Sequence, residues 1–395
     1  MFERFLVPVD NSPYSDLSIE MAIAMGQKFG SHLVGCHVYA ARLHDSRFRQ
    51  MEAGLPDRYQ EEGELQRQRQ VHDSLITKGL QLISDSYLDV FTTKCQQAEV
   101  SCQRRVIEGT NYVELMKEAE ANKYDLVVMG IRGLGAVEGS LVGSVCERVA
   151  RRVRCDVLAV KTAAPLNQDI VVAVDGSVQS RAGLKAALNL AKSFHTEVEA
   201  VSVFDPHFHT VAFRSLAGVL SEEAGKIFRF REQEQLHEEV IHQGLKKIYQ
   251  GHLDEAVSLA RSEGMALKTT LLEGKPFQQI LKHLEERQPS LLVVGRFGIH
   301  RTDDLDLGST AENLLRLSPC HVLIASGEAP APETAPHLAE AVALPWTREA
   351  ETRLENIPVF ARAMARRAID DYARRHGYTE VTPEIMTEAR GKMGM

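Results

Sequence analysis

The chain has 395 residues, 44% hydrophobic and 25% charged, so it holds enough apolar side chains for folded cores and a largely disordered chain is excluded. The formal net charge of −8 excludes binding to nucleic acid or anionic membranes that is driven by the charge of the whole chain, and we expect no nucleic-acid partner. No apolar run approaches the roughly 20 residues that span a bilayer, and the first residues, MFERFLVPVDNS, do not read as a signal peptide, so we expect a cytoplasmic protein without membrane insertion.

Residues 1–163 alternate short apolar runs with segments of helical periodicity. The apolar runs predict five strands, at Phe5–Val9, Leu33–Tyr39, Ser101–Ile107, Leu126–Met129 and Val157–Val160. Helices are predicted between them, after the capping residue Ser12, within the charged segment 42–94, over 111–122 and over 145–152. Buried strands separated by helices indicate an α/β domain with a parallel sheet covered on both faces.

The same pattern recurs at a constant offset of 165 residues. Residue types match between the copies, as in the pairs Asp10 and Asp175, Gly130 and Gly295, and Cys155 and Cys320. Strands are predicted again at Ile170–Val174, Val198–Phe204, Ala266–Leu272, Leu291–Val294 and Val322–Ala325. One register held over so many residues predicts two homologous domains, 1–163 (copy one) and 164–326 (copy two). Each is expected to be a doubly wound parallel sheet whose ligand lies at the carboxyl ends of the strands.

A glycine loop with the pattern G-x2-G-x9-G-[ST] follows the fourth predicted strand of each copy. Its residues are Gly130, Gly133, Gly143 and Ser144 in copy one, and Gly295, Gly298, Gly308 and Ser309 in copy two. Glycines let backbone N–H groups approach an anion, and the helix that begins at the last glycine offers unpaired donors and a favourable dipole for phosphate. Asp10 or Asp175, at the end of the first strand, can accept a hydrogen bond from a ribose hydroxyl or an adenine amine. The loop is neither a Walker A motif nor GxGxxG.

Both copies resemble universal stress proteins of the nucleotide-binding kind, in this loop, in the strand-one aspartate and in the closing Cys-x-Val-Leu strand. The resemblance implies two tandem flavodoxin-like sheets of five strands, of the adenine nucleotide alpha hydrolase kind, that bind ATP, ADP or AMP. The nucleotide contacts it implies in copy one are Asp10, Val38, Met129, Gly130, Gly133, Gly143, Ser144 and Val145. Those in copy two are Asp175, Val203, Val294, Gly295, Gly298, Gly308, Ser309 and Thr310. The fifth strand is commonly the dimer edge of this family, which implies an intramolecular pseudo-dimer of the two copies and leaves a further homodimer open.

The nine-residue spacers of the two loops differ in charge. Copy one carries one acid, Glu138, whereas copy two carries Asp303, Asp304 and Asp306. Carboxylates near a triphosphate repel it by about 1 kcal/mol or more per close pair unless a divalent cation such as Mg²⁺ lies between them. Copy two is therefore a weaker site, or binds with Mg²⁺, or uses these acids in a solvated turn. We hypothesise that copy one is the better nucleotide site.

Catalytic and metal-binding motifs are sparse. GxSxG and HExxH are absent, and His237 and His242 are poorly spaced for one metal ion on a helix. His207 and His209 could ligate a metal ion, but we favour a solvated loop for them. The six cysteines form no CxxC pair, which predicts small buried side chains rather than a zinc or iron–sulfur site. We expect nucleotide binding with slow or absent hydrolysis, no catalytic residues and no metal ligands.

The C-terminal region differs from the repeats. Residues 327–345 are rich in proline and alanine and predict an extended linker. Residues 346–395 predict a small helical domain, in which Thr347 caps a first helix, a second covers Pro358–Arg375 and Thr382 caps a third.

This tail resembles the C-terminal helical domain of the light-independent protochlorophyllide reductase B subunit. The resemblance rests on Trp346, the run 349–354, Ile357-Pro358, the helix 362–372 and Thr382-Pro383-Glu384. The catalytic body of that reductase is missing, so what carries over is a small interaction or tetrapyrrole-adjacent module. The implied partner of residues 346–395 is a protein.

Three functions remain open from the sequence. The first is an ATP- or ADP-binding stress-response regulator that signals or docks through its helical insertions and its tail. The second is a scaffold or adaptor with vestigial nucleotide sites that recruits a redox or photosynthetic complex. The third is a weak ATPase.

Overall fold

The computed structural model describes residues 2–206, 242–299, 306–327 and 344–355, and in the C-terminal segment residues 362, 366, 369, 370, 372, 373, 378 and 380–393. The chain forms two compact units, Met1–Ala329 and Pro330–Met395. Several predicted features lie outside the described residues: His207, His209, His237, Asp303, Asp304, most of the linker and most of the helix expected over 358–375.

Ten strands of the first unit form one continuous sheet. They are β1 (Arg4–Pro8), β2 (His32–Tyr39), β3 (Cys102–Glu108), β4 (Leu126–Gly130), β5 (Asp156–Val160), β6 (Ile170–Ala173), β7 (Val198–Phe204), β8 (Lys268–Glu273), β9 (Leu291–Gly295) and β10 (His321–Ala325). Their order across the sheet is β3-β2-β1-β4-β5-β10-β9-β6-β7-β8. Neighbouring strands are parallel within each copy. At the centre, β5 and β10 pair antiparallel with Leu158 opposite Leu323, so the fifth strands of the two copies cover each other's edge.

The sheet of each copy is doubly wound, as predicted. The strand order within a copy, 3-2-1-4-5, matches the start of the dinucleotide-binding order 3-2-1-4-5-6 and differs from the flavodoxin order 2-1-3-4-5. The direction of winding reverses between β1 and β4 in copy one and between β6 and β9 in copy two. Ligands of such sheets bind at the carboxyl ends of the strands at this reversal.

Helices connect the parallel strands. They are α1 (Pro13–Phe29), α2 (Ala41–Met51), α3 (Glu62–Gln97), α4 (Asn111–Ala121), α5 (Ser144–Arg152), α6 (Val178–Phe194), α7 (His242–Ser262), α8 (Pro276–Arg287) and α9 (Ser309–Leu317). The charged segment 42–94 is helical as predicted, with two short 3₁₀ turns, Glu52–Gly54 and Asp57–Tyr59, between α2 and α3. None of the described helices combines the length and the apolar character that a membrane crossing requires.

The first helix of each copy begins at the serine that the sequence predicts as its cap. The Ser12 hydroxyl accepts a hydrogen bond from the Ser15 N–H at 3.1 Å, and Ser177 does the same for Ser180 at 3.1 Å. The α1 helix ends at Gly30, whose φ of 67° is the left-handed conformation that glycine adopts freely. These caps start α1 and α6 immediately behind the ends of β1 and β6.

Apolar side chains are buried on both faces of the sheet. Along β1, Phe5 and Val7 belong to one buried cluster and Leu6 belongs to the cluster on the opposite face. The long helix α3 packs on β2 through Phe91, whose ring would lie 2.4 Å from a Cβ on Gly35. This close approach fixes α3 against the sheet beside the carboxyl end of β2.

The second unit contains two described helices, α10 (Arg348–Glu355) and α11 (Pro383–Met393). Thr347 caps α10 as predicted, because its hydroxyl accepts a hydrogen bond from the Ala350 N–H at 3.3 Å. The indole N–H of Trp346 donates to Asp370 at 2.8 Å. Among the residues of this unit that the structure describes, a cluster of buried side chains is formed by Ala350, Leu354, Ile369, Tyr372, Ala373, Val381, Ile385 and Met386. The tail therefore has a small apolar core of its own.

Candidate functional site

A cavity of about 300 Å³ lies at the carboxyl ends of β1 and β4 in copy one. Its lining includes all eight residues that the sequence assigns to the first site: Asp10, Val38, Met129, Gly130, Gly133, Gly143, Ser144 and Val145. The structure thus brings them together from three strand ends, the glycine loop and the first turn of α5. Their contact with a nucleotide stays a prediction.

Asp10 joins the glycine loop to the start of α1. Its Oδ1 accepts a hydrogen bond from the Ser12 N–H at 3.0 Å, and its Oδ2 accepts one from the Leu134 N–H at 3.0 Å. Each carboxylate oxygen keeps a further lone pair, so the group can also accept a hydrogen bond from a ligand hydroxyl or amine. The carboxylate is held in one orientation before any ligand arrives, which lowers the entropy cost of binding.

Two glycines of the loop are needed for close packing. A Cβ on Gly133 would lie 2.3 Å from the Oδ2 atom of Asp10, and a Cβ on Gly130 would lie 2.6 Å from the backbone of Tyr14. A larger residue at either position would push the loop away from β1 or from α1.

The α5 helix opens toward the cavity without a side-chain cap. Its N-cap residue is Gly143, whose own N–H donates to the Ile131 carbonyl oxygen at 2.8 Å. Gly143 has no side chain that could accept hydrogen bonds from the first turn, and Ser144 and Val145 line the cavity. The helix end therefore offers backbone donors, the positive end of the helix dipole and a serine hydroxyl to an anion.

Arg132 adds a cation to this end of the cavity, and the sequence reasoning missed it. Its guanidinium lies over the Tyr14 ring, 4.8 Å from the ring centroid, and donates to the Tyr14 hydroxyl and to the Ser140 carbonyl oxygen, the latter at 3.1 Å. The residue also lines the cavity. The signal that could have found it is a basic residue between the first two glycines of the loop.

His37, at the end of β2, is a second lining residue that the sequence reasoning missed. Its Nδ1 atom lies 2.8 Å from the Ser84 hydroxyl oxygen. That hydroxyl donates its own hydrogen to the Leu80 carbonyl, which assigns Nδ1 as the donor and leaves Nε2 as an acceptor. Burial lowers the pKa of His37, and the charge of Asp10 opposes this only in part, so the ring is neutral at pH 7.

Copy two holds a similar cavity of about 270 Å³. Its lining includes all eight predicted residues: Asp175, Val203, Val294, Gly295, Gly298, Gly308, Ser309 and Thr310. Asp175 repeats the contacts of its counterpart, since it accepts hydrogen bonds from the Ser177 N–H at 3.0 Å and the Ile299 N–H at 2.9 Å. The helix α9 begins at Gly308, again without a side-chain cap.

The two cavities differ in charge beside their glycine loops. Phe297 stands in copy two where copy one has Arg132, so that position contributes no positive charge there. Of the three acids predicted to matter in copy two, the structure describes Asp306, and its carboxylate lies 3.5 Å from the Arg152 guanidinium of copy one. Arg296, also in the loop, donates its guanidinium hydrogens to carbonyl oxygens of α5.

The two cavities also differ at the ends of β2 and β7. One copy has an aromatic residue on the strand and a serine on the helix, and the other copy has the reverse. Copy one has His37 on the strand and Ser84 on the helix, whereas the equivalent positions of copy two hold Ser202 and Tyr249. Tyr249 lines the second cavity and packs edge-on against His252, with ring centroids 5.5 Å apart. Burial raises the pKa of Tyr249, with a further contribution from Asp175 and Asp205.

The cysteines are free thiols, and four of them are buried: Cys36, Cys95, Cys146 and Cys320. Burial raises the pKa of Cys36 and of Cys146 to about 12, so both are unreactive at neutral pH. Among the residues that the structure describes, no three histidine, cysteine, aspartate or glutamate side chains are placed to hold a metal ion. His242, considered above as a metal ligand, lies 3.3 Å from the carboxylate of Glu273.

The repeats are similar to known proteins over nearly their whole length. The profile of the universal stress protein family matches residues 1–161 and 167–326. Universal stress protein YxiE of Bacillus subtilis is 33% identical over 155 residues, which is 39% of this chain and 96% of that protein. Universal stress protein MJ0531 of Methanocaldococcus jannaschii is 30% identical over 159 residues, or 40% of this chain and 82% of that protein.

Solved structures match both copies together. The crystal structure of a universal stress protein from Archaeoglobus fulgidus superposes with a TM-score of 0.55 and 18% identity, and covers 82% of this chain and 98% of that chain. At this identity the match shows the fold alone.

The tail has a different set of relatives. A profile described as the proto-chlorophyllide reductase 57 kD subunit matches residues 346–390. The light-independent protochlorophyllide reductase B subunit of a Roseiflexus species is 39% identical over 49 residues, which is 12% of this chain and 9% of that protein. The similarity thus leaves out the rest of that reductase protein.

Proposed function

This chain belongs to the universal stress protein family, and from that premise we propose that it is a stress-response regulatory protein that binds ATP or ADP in copy one. The observation that carries the proposal is the uncapped first turn of α5, which faces the same cavity as the fixed carboxylate of Asp10. An adenine nucleotide presents groups of both kinds, hydroxyls or amines for the carboxylate and phosphates for the helix end.

The order of the lining residues suggests how the nucleotide lies in copy one. The adenosine end would contact Asp10, Val38 and the neutral ring of His37. The phosphates would lie between the glycine loop and the first turn of α5, beside the Arg132 guanidinium. Arg132 supports a ligand with several phosphates, because a charge-assisted hydrogen bond from a guanidinium to a phosphate is among the stronger polar contacts in proteins.

Copy two is proposed to prefer a less charged adenine ligand, such as AMP. Phe297 replaces the cation of copy one, and the α9 helix end is then the main attraction for phosphate. A second phosphate would gain less there than beside Arg132. The Mg²⁺ ion that accompanies ATP is proposed to bind to phosphate oxygens rather than to a preformed protein site.

Calorimetry with the full chain and two blocking variants tests these assignments. Gly143→Asp places a carboxylate at the start of α5, and Gly308→Asp does so at α9. We expect Gly143→Asp to abolish ATP binding by copy one and to leave AMP binding by copy two, with the converse for Gly308→Asp. Unchanged ATP affinity in Gly143→Asp would refute the assignment of copy one. Titrations with and without EDTA show whether Mg²⁺ contributes.

Native mass spectrometry of freshly purified protein tests the function itself. Bound adenine nucleotide, before or after incubation with ATP, is the expected result. Its absence in both cases would reject nucleotide binding and favour the scaffold, while phosphate release above the buffer rate would favour the ATPase.

The tail is proposed to dock a protein partner. The observation in its favour is a separate buried cluster around Ala350 and Ile385, in a compact unit distinct from that of the two copies. A pull-down with the full chain and with a chain that ends before residue 346 tests this. Identical partners in both samples would refute docking through the tail.

A further inference from the structure

The helix α5 begins beside the first cavity, and its last turn contacts Arg296, a cation from the other copy. The Arg296 Nη1 atom donates to the carbonyl oxygen of Ala150 at 2.7 Å and to that of Arg151 at 3.0 Å, both in the last turn of α5. Arg296 belongs to the loop between Gly295 and Gly298, which lines the cavity of copy two. A part of the second site therefore touches the far end of the helix that opens on the first.

The reverse contact is also present. Lys161 directly follows β5 of copy one. Its Nζ atom donates to the carbonyl oxygens of Leu315 at 2.9 Å and Arg316 at 3.3 Å. These carbonyls lie in the last turn of α9, the helix that opens on the second cavity. Each of the two helices thus has a candidate phosphate site at its N-terminus and a cation from the other copy at its C-terminus.

The two cations do not occupy equivalent positions of the repeat. The counterpart of Arg296 in copy one is Ile131, and the counterpart of Lys161 in copy two is Ser326. Ser326 instead accepts hydrogen bonds from the Arg296 guanidinium at 3.1 and 3.2 Å.

Arg296 is buried and Lys161 is half-buried, and this burial has a cost that their contacts must offset. Arg296 is only 6% exposed, and burial lowers its pKa. Burial likewise lowers the pKa of Lys161 to about 8. Helix C-terminal carbonyls carry partial negative charge and are suitable partners for such groups.

Ion pairs join the same two helices on the protein surface. Glu147 of α5 contacts Arg316 of α9 at 2.6 Å, and Glu312 of α9 contacts Arg151 of α5 at 2.6 Å. A displacement of one helix can therefore act on the other in two ways, through Arg296 and Lys161 and through these ion pairs.

We propose that Arg296 and Lys161 are positioning residues that couple the two nucleotide sites, so that a ligand in one copy changes the helix that binds phosphate in the other. The inference rests on the proposed function of the two cavities. A ligand that shifts the loop 295–298 in copy two moves the guanidinium at the end of α5. In copy one the Val160 carbonyl oxygen accepts the N–H of Ile131, in the glycine loop, at 2.9 Å, so a shift of that loop reaches the neighbouring Lys161 and through it α9. Such coupling is reciprocal by thermodynamic necessity.

Hydrogen exchange measured by mass spectrometry on the full chain tests the proposal. In the Gly143→Asp background the added nucleotide, AMP, can bind only in copy two. We expect it to slow exchange in peptides from the last turn of α5, in copy one, by about threefold or more. Arg296→Met should remove this remote effect when AMP is added at concentrations that saturate copy two of this variant, as measured by calorimetry, because Arg296 itself lines that cavity. Arg154→Met, at an exposed arginine just after α5, is the matched control and should retain it.

The mirror experiment uses the Gly308→Asp background, ATP in copy one and peptides from the last turn of α9, with Lys161→Met as the test variant. This experiment also tests the coupling of the two sites if Arg296→Met fails to fold. Nucleotide binding without any remote change in exchange, or with a change that survives both substitutions, would overturn the coupling and leave the proposed function intact. Absence of nucleotide binding in calorimetry would overturn the proposed function, and the coupling with it.

Discussion

The carboxylate of Asp10 lies so close to Gly133 that a Cβ on this glycine would be 2.3 Å from the Oδ2 atom. The same carboxylate receives the N–H of Leu134, the next residue of the loop. Asp10 therefore holds the glycine loop in place and also faces the cavity in which we propose that the nucleotide binds.

Gly133→Ala is expected to lower the ATP affinity of copy one about tenfold, the cost of displacing one hydrogen-bonded carboxylate. The methyl group must push Asp10 aside, which also breaks its contact with Leu134. Calorimetry in the Gly308→Asp background measures the effect. Gly135→Ala is the matched control in the same loop, since a Cβ there would meet nothing within 4 Å. An equal loss in both variants would contradict the role of Asp10.

Arg132→Gln should weaken ATP binding by copy one about tenfold and leave adenosine binding unchanged, because only the phosphates would contact this cation. Arg148→Gln is a suitable control, as Arg148 stacks on Tyr112 at 4.3 Å and is not part of the cavity lining. A parallel loss of adenosine affinity would mean that Arg132 acts by holding Tyr14 in place and not by its charge.

The exchange of aromatic and serine positions between the copies leads to a prediction for copy two. Tyr249→Ala removes the ring that lines this cavity and should weaken AMP binding about tenfold, within the range measured for base stacking on aromatic side chains. Tyr249→Phe keeps the ring and should bind AMP nearly as well as the parent. Both are measured in the Gly143→Asp background. If Tyr249→Phe loses as much affinity as Tyr249→Ala, the hydroxyl and not the ring contacts the ligand.

Much of this architecture follows from local sequence patterns. Continuous apolar runs fix the strands, Ser12 and Ser177 fix the starts of α1 and α6, and the glycine spacing fixes the loops, because each of these depends on neighbouring residues. The glycine loops and the aspartates Asp10 and Asp175 were predictable because a parallel sheet brings its strand ends to one edge. The other lining residues, such as Val38 and Val203, were predicted from the resemblance to universal stress proteins.

Contacts between distant segments could not be predicted in this way. The pairing of His37 with Ser84 depends on how α3 lies across β2, which no local pattern specifies. The contact of Arg296 with Ala150 depends on the antiparallel pairing of β5 with β10. Asp306 was expected either near a phosphate or in a solvated turn, and the local pattern could not show that its carboxylate lies 3.5 Å from the Arg152 guanidinium of the other copy.

The junction of the two copies contains a carboxyl group whose titration should affect stability. Burial raises the pKa of Asp156 from 3.8 to about 6, while its hydrogen bond from the Ser326 N–H and the charge of Arg296 oppose the shift. The folded state therefore binds this proton more tightly than the unfolded state. Its contribution to stability is present below pH 3.8 and is lost as the pH rises through about 6.

Asp156→Asn keeps the acceptor for Ser326 and removes the charge. Relative to the parent, this variant should gain up to about 3 kcal/mol in free energy of unfolding as the pH rises from acid to neutral, as expected for a shift from 3.8 to about 6. Urea unfolding of both proteins across this pH range measures the difference. A difference that does not change with pH would show that Asp156 titrates normally.

The tail offers a separate measure of its own stability, because Trp346 is the only tryptophan of the chain and its fluorescence reports on this unit alone. Its indole N–H donates to Asp370 at 2.8 Å. Asp370→Ala leaves this donor unpaired and should lower the free energy of unfolding seen by tryptophan fluorescence by about 1 kcal/mol. Asp370→Asn retains an acceptor and should behave like the parent. If both variants unfold at the same urea concentration, the hydrogen bond does not stabilise the tail.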